Sequence, residues 1–283
     1  MTTSFRTPGA PFIVNFGGGV DSTAMLIELV RRELRPDFIL FADTGAEKPE
    51  TLEHVRTFSL WLEARGFPAV TIARYQPARV TYRTLEECCL TNETLPSLAF
   101  GYKSCSLKFK AQPMDRWLSR QPAIKAAWSA GLKPVKAIGY DCGPIDSKRA
   151  VDRSEDKRFS YVYPLRAWGG FDRAACEAVC QEALGYVPQK SACFFCPAMK
   201  EAELRDLATN HRDLFDRALA LEDNARTGKH GLKKIEGLWG RTRKKDGRPG
   251  SWRAWAEREG LLAAAPSEVV LEAEVLELAE MAV

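Results

Sequence analysis

The sequence predicts an α/β protein built on a parallel five-stranded sheet, with a helical, basic C-terminal appendage. Three observations predict it. Short apolar runs rich in β-branched and aromatic residues alternate with amphipathic stretches of helix length, as strands joined by crossover helices do. A glycine-rich turn at 17–19 separates the first such run from the first helix-like stretch. Beyond Pro197 the alternation gives way to helical composition and then to a basic, loop-rich segment. These divide the chain into residues 1–197 and 198–283.

In chain order, Pro11–Phe16 reads as the first strand and about Asp21–Leu34 as the first helix, closed before Pro36 because proline disfavours helix in the residue preceding it. Phe38–Ala42 is a second strand, Pro49–Arg65 a second helix ending at Gly66, and Ala69–Ala73 a third strand. Residues 76–110 show no clean period, which marks a functional loop or a small insertion, and part of the cover of the site is expected there. A helix over Gln112–Ala130 then leads to a strand over Pro134–Tyr140, a fifth strand over Tyr161–Leu165 and a helix over Phe171–Leu184. Cys176 and Cys180 share one side of that helix and are expected in the core. Met199–Asn224 is helical, and the acidic last seventeen residues read as a short helix or a tail.

At 283 residues and 45% apolar composition the chain can bury a sizeable core. Basic and acidic side chains nearly balance at a net +4, too little for a protein that coats nucleic acid but compatible with a local basic face. No run approaches the ~18 apolar residues of a membrane span, and the first fifteen residues lack the basic and apolar regions of a secretion signal, so the expected location is cytoplasmic, with no membrane partner. Eight cysteines in a chain of this size then read as metal ligands, redox groups or small core hydrophobes rather than as a disulfide framework.

The strongest chemical signal is Phe16-Gly17-Gly18-Gly19-Val20-Asp21-Ser22-Thr23 at the strand-to-helix junction. Consecutive glycines let backbone N–H groups approach an anion, and Ser22 and Thr23 add hydroxyls at the positive end of a helix. It is a phosphate cradle, and it is neither a Walker loop nor a dinucleotide fingerprint. It resembles the SGGxDS mark of the PP-loop ATP pyrophosphatases, with Phe16 or Gly17 standing where that family has serine, so that one hydroxyl is lost.

Further segments are similar to the phosphoadenosine-phosphosulfate reductase branch of that group. They are Asp43-Thr44-Gly45 after the second strand, Lys103-Ser104-Cys105-Ser106-Leu107-Lys108, Ile138-Gly139-Tyr140-Asp141 with Lys148-Arg149, Tyr163-Pro164-Leu165, and Cys193-Phe194-Phe195-Cys196-Pro197. Together they span roughly residues 10–200. The resemblance implies the adenine nucleotide α-hydrolase type of Rossmann-like sheet, ATP held with Mg²⁺, and Lys108 and Arg149 facing phosphates beside Asp21 and Ser22. A carboxylate such as Asp43 at a strand's C-terminal end can meet a ribose, an adenine amine or Mg²⁺.

Two residues between the thiols of Cys193 and Cys196 let both sulfurs reach one ion, but one such pair is half of a tetrahedral site. In iron–sulfur members of the wider group a cysteine of the Lys103–Lys108 segment joins the pair, which carries over to Cys105. The resemblance thus implies a three-cysteine 4Fe–4S cluster, as in the tRNA 2-thiocytidine-forming enzymes, with structural zinc or free persulfide-carrying thiols as alternatives and with Cys142, Cys88 or Cys89 as a fourth ligand. His54 reads as a surface residue. The Lys- and Arg-rich segment 226–258 carries Trp239, Trp252 and Trp255, a composition suited to phosphate contacts and base stacking on tRNA or DNA.

The main functional expectation is an ATP-dependent activating enzyme that cleaves between the α- and β-phosphates, releases pyrophosphate and forms an adenylyl intermediate, in a sulfur transfer that modifies tRNA or DNA. A sulfur donor such as a cysteine desulfurase would supply it, and a homodimer is one expected assembly. The alternatives are a sulfonucleotide reductase, against which stands the lack of a cysteine after Cys196, and a noncatalytic nucleotide- and nucleic-acid-binding subunit of a modification or defence complex.

Overall fold

The computed structural model describes residues 5–151, 156–229 and 231–262. The acidic C-terminal segment and His230 lie outside them. Five parallel strands, β1 (Phe12–Phe16), β2 (Phe38–Asp43), β3 (Val70–Arg74), β4 (Val135–Ile138) and β5 (Ser160–Val162), form one sheet in the order β3-β2-β1-β4-β5. Both faces are covered, so apolar residues fill both sides of a strand. Phe12, Val14 and Phe16 enter one core with Ile39 and Phe41, while Ile13 enters the other with Leu40 and Ala42. The first core is closed by α1 (Val20–Arg31), α2 (Pro49–Glu63) and α9 (Arg173–Leu184), and Cys176 and Cys180 are buried in it as expected.

Because β1 lies between β2 and β4, the chain leaves the sheet in opposite senses on either side of it. Such a reversal opens a crevice at the C-terminal strand ends. The loops after β1 and β4 therefore meet there.

Several boundaries differ from expectation for identifiable reasons. Helix α1 stops at Arg31, three residues early, because Glu33 takes a left-handed φ of 56° and Leu34 N–H turns back to the Leu29 carbonyl at 2.9 Å. The long helix expected over 112–130 is two, α5 (Gln112–Leu118) and α6 (Pro122–Ser129), since Pro122 holds Gln121 extended. Strand β5 is only three residues long, and Pro164 starts α8 (Pro164–Trp168) where the strand was expected to continue. The irregular stretch contains α3 (Leu85–Thr91), which carries a full capping box on Thr84, and a 3₁₀ turn at Ser97–Phe100. It ends in α4 (Ser104–Ser106), which widens to π geometry over Leu107–Ala111. A further helix, α7 (Pro144–Val151), follows β4.

Beyond Pro197, α10 (Glu201–Asn210) and α11 (Arg212–Thr227) are separated at His211, where one helix had been expected, and α12 (Trp252–Arg258) closes the described chain. A third core joins these helices to Leu85, Cys89, Phe109, Cys193, Phe194 and Phe195. Trp252 and Trp255 are fully buried in it, and Trp239 packs against both rings at 5.7 and 5.6 Å. Trp252 and Trp255 are thus core anchors, which overturns their reading as a platform for stacking bases, while Trp239 is partly buried. Lys233, Lys234, Arg241, Lys244 and Lys245 remain exposed around them.

Glu222 on α11 organises this region. Its carboxylate is fully buried and accepts from Leu238 N–H (2.7 Å), Trp252 N–H (2.9 Å), Arg253 N–H (3.1 Å), the Ser251 hydroxyl (2.5 Å) and Arg226 (3.1 Å). A buried charge is tolerable only when its lone pairs are so occupied. A Cβ on Gly237 would lie 2.2 Å from the Glu222 oxygen, so glycine is required for this close approach. Replacing Glu222 by Ala leaves two buried N–H groups and a part-buried one without a partner and should cost roughly 3 kcal/mol or more in urea denaturation, whereas Asp223→Ala, which loses a partly exposed pair with Arg253, should cost about 1 kcal/mol or less.

Candidate nucleotide and thiol site

The turn after β1 is folded on its own hydroxyls. Gly17 N–H donates to Ser22 Oγ at 3.1 Å, and Ser22 and Thr23 donate to the Gly19 carbonyl at 3.1 and 2.9 Å. Gly18 has φ 71°, and a Cβ there would lie 3.0 Å from the Phe41 ring. Helix α1 has no side-chain cap at Gly19, so its first N–H groups are available to an anion. Phe16 is buried in the sheet core and is a support for the turn rather than a ligand contact.

Above the turn lies a groove of about 670 Å³ lined by Gly17, Gly19, Asp21, Ser22, Gly139 and Arg149, together with Arg173, Lys190, Ser191 and Lys200. The loops after β1 and β4 touch so closely that a Cβ on Gly139 would lie 2.6 Å from Ser22 Cα. Of the expected phosphate-facing cations, Arg149 is at the groove, paired with Asp146 at 2.8 Å. Arg173, which the sequence reading missed, pairs with Asp21 at 3.3 Å. Burial raises the pKa of Asp21 against the pull of Arg173, and the neighbouring carboxylates Asp141 and Asp146 add to the rise.

Lys108 is elsewhere. Its ammonium donates to the Tyr82 hydroxyl at 2.7 Å and sits 4.5 Å above the Tyr82 ring, on the wall of a different pocket, so the expectation that it faces phosphates with Arg149 is corrected. Its place in the motif said nothing of direction: the π-helical widening over Leu107–Ala111 turns this face toward Tyr75 and Tyr82.

His54 was expected on the surface and is instead buried beneath the glycine turn. Thr23 gives its hydroxyl proton to Gly19 and so accepts from His54 Nε2 at 3.0 Å, which leaves Nδ1 to accept from the Tyr186 hydroxyl at 3.0 Å. Burial lowers the pKa of His54 to about 4, so the neutral ring is the form that braces the cradle.

After β2, Asp43 accepts from Gly45 N–H at 2.8 Å and pairs with Arg74 at 2.8 Å, so both its oxygens are engaged by the protein. Gly45 has φ 71° and packs on Thr84. Thr44 shares its hydroxyl with Glu47 (3.2 Å) and with the sulfur of Cys193 (3.3 Å). Glu47 is fully buried and pairs with Lys110 at 3.3 Å. Burial disfavours the Lys110 ammonium, yet the Glu47 carboxylate outweighs it and the pKa is raised.

The Cys193–Cys196 segment is stitched to this strand end. Glu47 and Cys193 form an antiparallel bridge, Phe194 N–H donates to the Ala46 carbonyl at 2.9 Å, and Cys196 N–H turns back to Cys193 at 3.0 Å. Two residues earlier, Ser191 abuts the glycine turn so closely that a Cβ on Gly19 would lie 3.0 Å from its hydroxyl. A distant serine thus reaches the loop whose motif lacks one.

Cys105, Cys193 and Cys196 border one core together with Cys88 and Cys89. Cys142 is not among them: its thiol donates to the Leu165 carbonyl at 3.7 Å on the far side of β4. Burial pushes the Cys193 thiol up to about 12 and raises that of Cys196. Among the described residues no three His, Cys, Asp or Glu side chains converge as a metal site, and Cys105, Cys193 and Cys196, expected to hold a cluster, lie around one core.

No protein family matches this chain, and no curated protein does. Among solved structures it is similar to the U34-tRNA thiolase NcsA from Methanococcus maripaludis with its 4Fe–4S cluster, at 12% identity and a TM-score of 0.36, over 93% of this chain and 86% of that one. A likeness at that level leaves function to the chemistry of the site itself.

Two outcomes test the cradle. Below the ordinary histidine pKa of about 6.5 the unfolded chain takes up a proton that folded His54 refuses, so stability is full above pH 6.5 and falls toward pH 4, by at most about 3 kcal/mol. His54→Gln, which keeps a donor toward Thr23, should flatten that slope in thermal melts between pH 7 and 5. Gly139→Ala forces the two loops apart and should abolish nucleotide binding measured by calorimetry, while the far-UV circular dichroism stays that of the parent.

Proposed function

We propose that this chain is an ATP-dependent activating enzyme of the PP-loop type that prepares a nucleic-acid acceptor, tRNA or DNA, for sulfur transfer. The observation that carries the reading is the adjacency of two chemistries: Ser191 lies against the glycine turn, and two residues on, Cys193 is bridged to Glu47 in the loop after β2. A triphosphate gripped by the amides of 17–19 and the α1 terminus would have its charge offset by Arg149, Arg173, Lys190 and Lys200 along the groove.

In the first step an acceptor oxygen attacks the α-phosphorus. The new O–P bond forms as the bridging bond to the β-phosphate breaks, and pyrophosphate leaves; Mg²⁺ bound with ATP would offset its charge. Holding acceptor and ATP in line accounts for most of such catalysis, since the protein contributes position and charge rather than a covalent group. In the second step a sulfur nucleophile displaces AMP from the activated carbon. We assign that sulfur to a persulfide on Cys193 or Cys196; after it attacks the carbon, the other thiol of the pair breaks the S–S bond, the product leaves with its sulfur, and the resulting Cys193–Cys196 disulfide is reduced by an external thiol. The exposed cations of 233–245 would meet the phosphates of a polynucleotide.

Asp21→Asn tests the reading directly. It removes the carboxylate at the α1 terminus that holds Arg173, and acceptor-dependent pyrophosphate release should fall by about 100-fold or more with an unchanged melting temperature. Unchanged release would overturn the assignment, and nucleic-acid binding with no pyrophosphate release from the parent protein would favour a noncatalytic subunit.

A further inference from the structure

A second cavity, of about 390 Å³, lies beside the groove and is bounded by the 189–199 segment, Lys48 and α10. Its walls are largely aliphatic, made by Ala192, Ala198, Met199 and Ala202, and Cys196 borders it. The Lys190–Glu203 ion pair, closed at 2.9 Å, lines both this cavity and the nucleotide groove, so the two share a wall. A group seated here has the groove on one side and a thiol on the other.

Lys48 is the unusual member of the lining. It is 7% exposed, and among the described residues its ammonium makes no hydrogen bond and no ion pair. Nor is that ammonium sealed off from solvent, so it ends in the cavity that its residue lines. A buried charge without an acceptor is costly, which points to an acceptor supplied by a ligand. The surroundings decide which kind. Lys190 is matched by Glu203, and Asp206, one of whose oxygens accepts from Asn210 at 2.7 Å, offsets the charge of Lys48. A phosphate would meet two carboxylates for one free cation and be repelled as much as attracted. A flat, neutral ring that offers a carbonyl oxygen to Lys48 and apolar faces to Met199 and the alanines fits instead, in a volume suited to one small ligand.

We propose that this cavity seats the acceptor base, and that Lys48 is the specificity-determining residue that selects a base carrying a ring carbonyl oxygen. The inference rests on the sulfur-transfer reading above and adds where the base sits and what is read on it. Lys48 donates to the carbonyl, and Asp206 keeps one oxygen for an N–H of the base. A base so placed lies beside the groove and against Cys196, as activation followed by sulfur transfer requires. The strand that carries it has cations at hand. Arg243 and Arg248 line a neighbouring cleft that shares Ala198, Met199 and Ala202 with the cavity, and Lys200 lines both that cleft and the groove. Adenine has no carbonyl oxygen and would leave Lys48 buried and unpaired, which is how a site of this kind rejects a wrong ligand.

The test measures the affinity of the full-length protein for short single strands, in DNA and in RNA form, by fluorescence anisotropy. Each strand is all adenine except for one central base. In one arm that base is thymine or its carbonyl-free shape mimic 2,4-difluorotoluene; in the other it is guanine or 2-aminopurine, which lacks the 6-oxygen. In at least one arm the oxo base should bind about tenfold or more tighter than its mimic, and that arm identifies the ring. Lys48→Met should bring the ratio to within about twofold while the all-adenine strand binds as before, a pattern that a merely structural role would not give. Ala202→Phe, at an exposed position of α10, fills the cavity without altering Lys48 and should also erase the preference. An unchanged ratio in Lys48→Met, or no preference in either arm of the parent, would overturn the inference. So would an equal weakening of every strand by Lys48→Met, because that marks a phosphate contact. Pyrophosphate release from ATP is measured with the same strands. A preference that depends on Lys48 without release defeats the activating-enzyme reading alone, and release without the preference defeats the base cavity alone.

Discussion

The site depends on one piece of backbone, residues 191–196, being sewn to the C-terminal ends of the sheet. Its attachments are short and specific: the Phe194 N–H on the Ala46 carbonyl, the bridge between Cys193 and Glu47, and Ser191 against Gly19. They bring a segment some 170 positions away in sequence onto the glycine turn, and with it two thiols. Phe194 and Phe195, buried and packed edge-to-face at 4.7 Å, anchor the segment from below. Burying two phenylalanine side chains contributes several kcal/mol on general grounds, enough to hold a strip whose own hydrogen bonds are few.

Electrostatics divides the region in two. The groove over 17–19 gathers cations around a helix terminus and keeps its carboxylates paired, an arrangement that waits for an anion. On the thiol side burial raises the pKa of Cys193 and Cys196, and Lys108 and Asn92 point at the sulfur of Cys88. Beneath the first half, the neutral ring of His54 carries the hydrogen-bond chain from Tyr186 through Thr23 to the Gly19 carbonyl. A charged ring there would have to donate on both sides, which the Tyr186 proton opposes.

The helices beyond Pro197 share a core with residues 85–109, and the interior of that core explains why the basic segment has tryptophans. Trp252 and Trp255 fill space between α10, α11 and the Cys193–Cys196 segment, and Glu222 ties the intervening loop to α11 through three backbone N–H groups. The cations of the same segment stay outside. Composition alone could not separate these roles, because a tryptophan beside a lysine in sequence can face either way.

Local signals determined much of this protein. The alternation of apolar runs with amphipathic stretches fixed five parallel strands and their crossovers, because strand and helix periods are properties of neighbouring residues. Gly17-Gly18-Gly19 with Asp21 and Ser22 marked the turn that lines the groove for the same reason: the backbone freedom and the hydroxyls are contiguous. Helix breaks at Glu33 and His211 were less visible, since a single residue's φ and ψ decide them. Only the tertiary structure decided where long side chains point. It turned Lys108 from the phosphates to Cys88, brought Arg173 and Ser191 to the groove, buried His54, and left Cys142 apart from the other thiols. Those contacts join residues far apart in the chain, and their geometry is set by packing of the whole core, which no local pattern encodes.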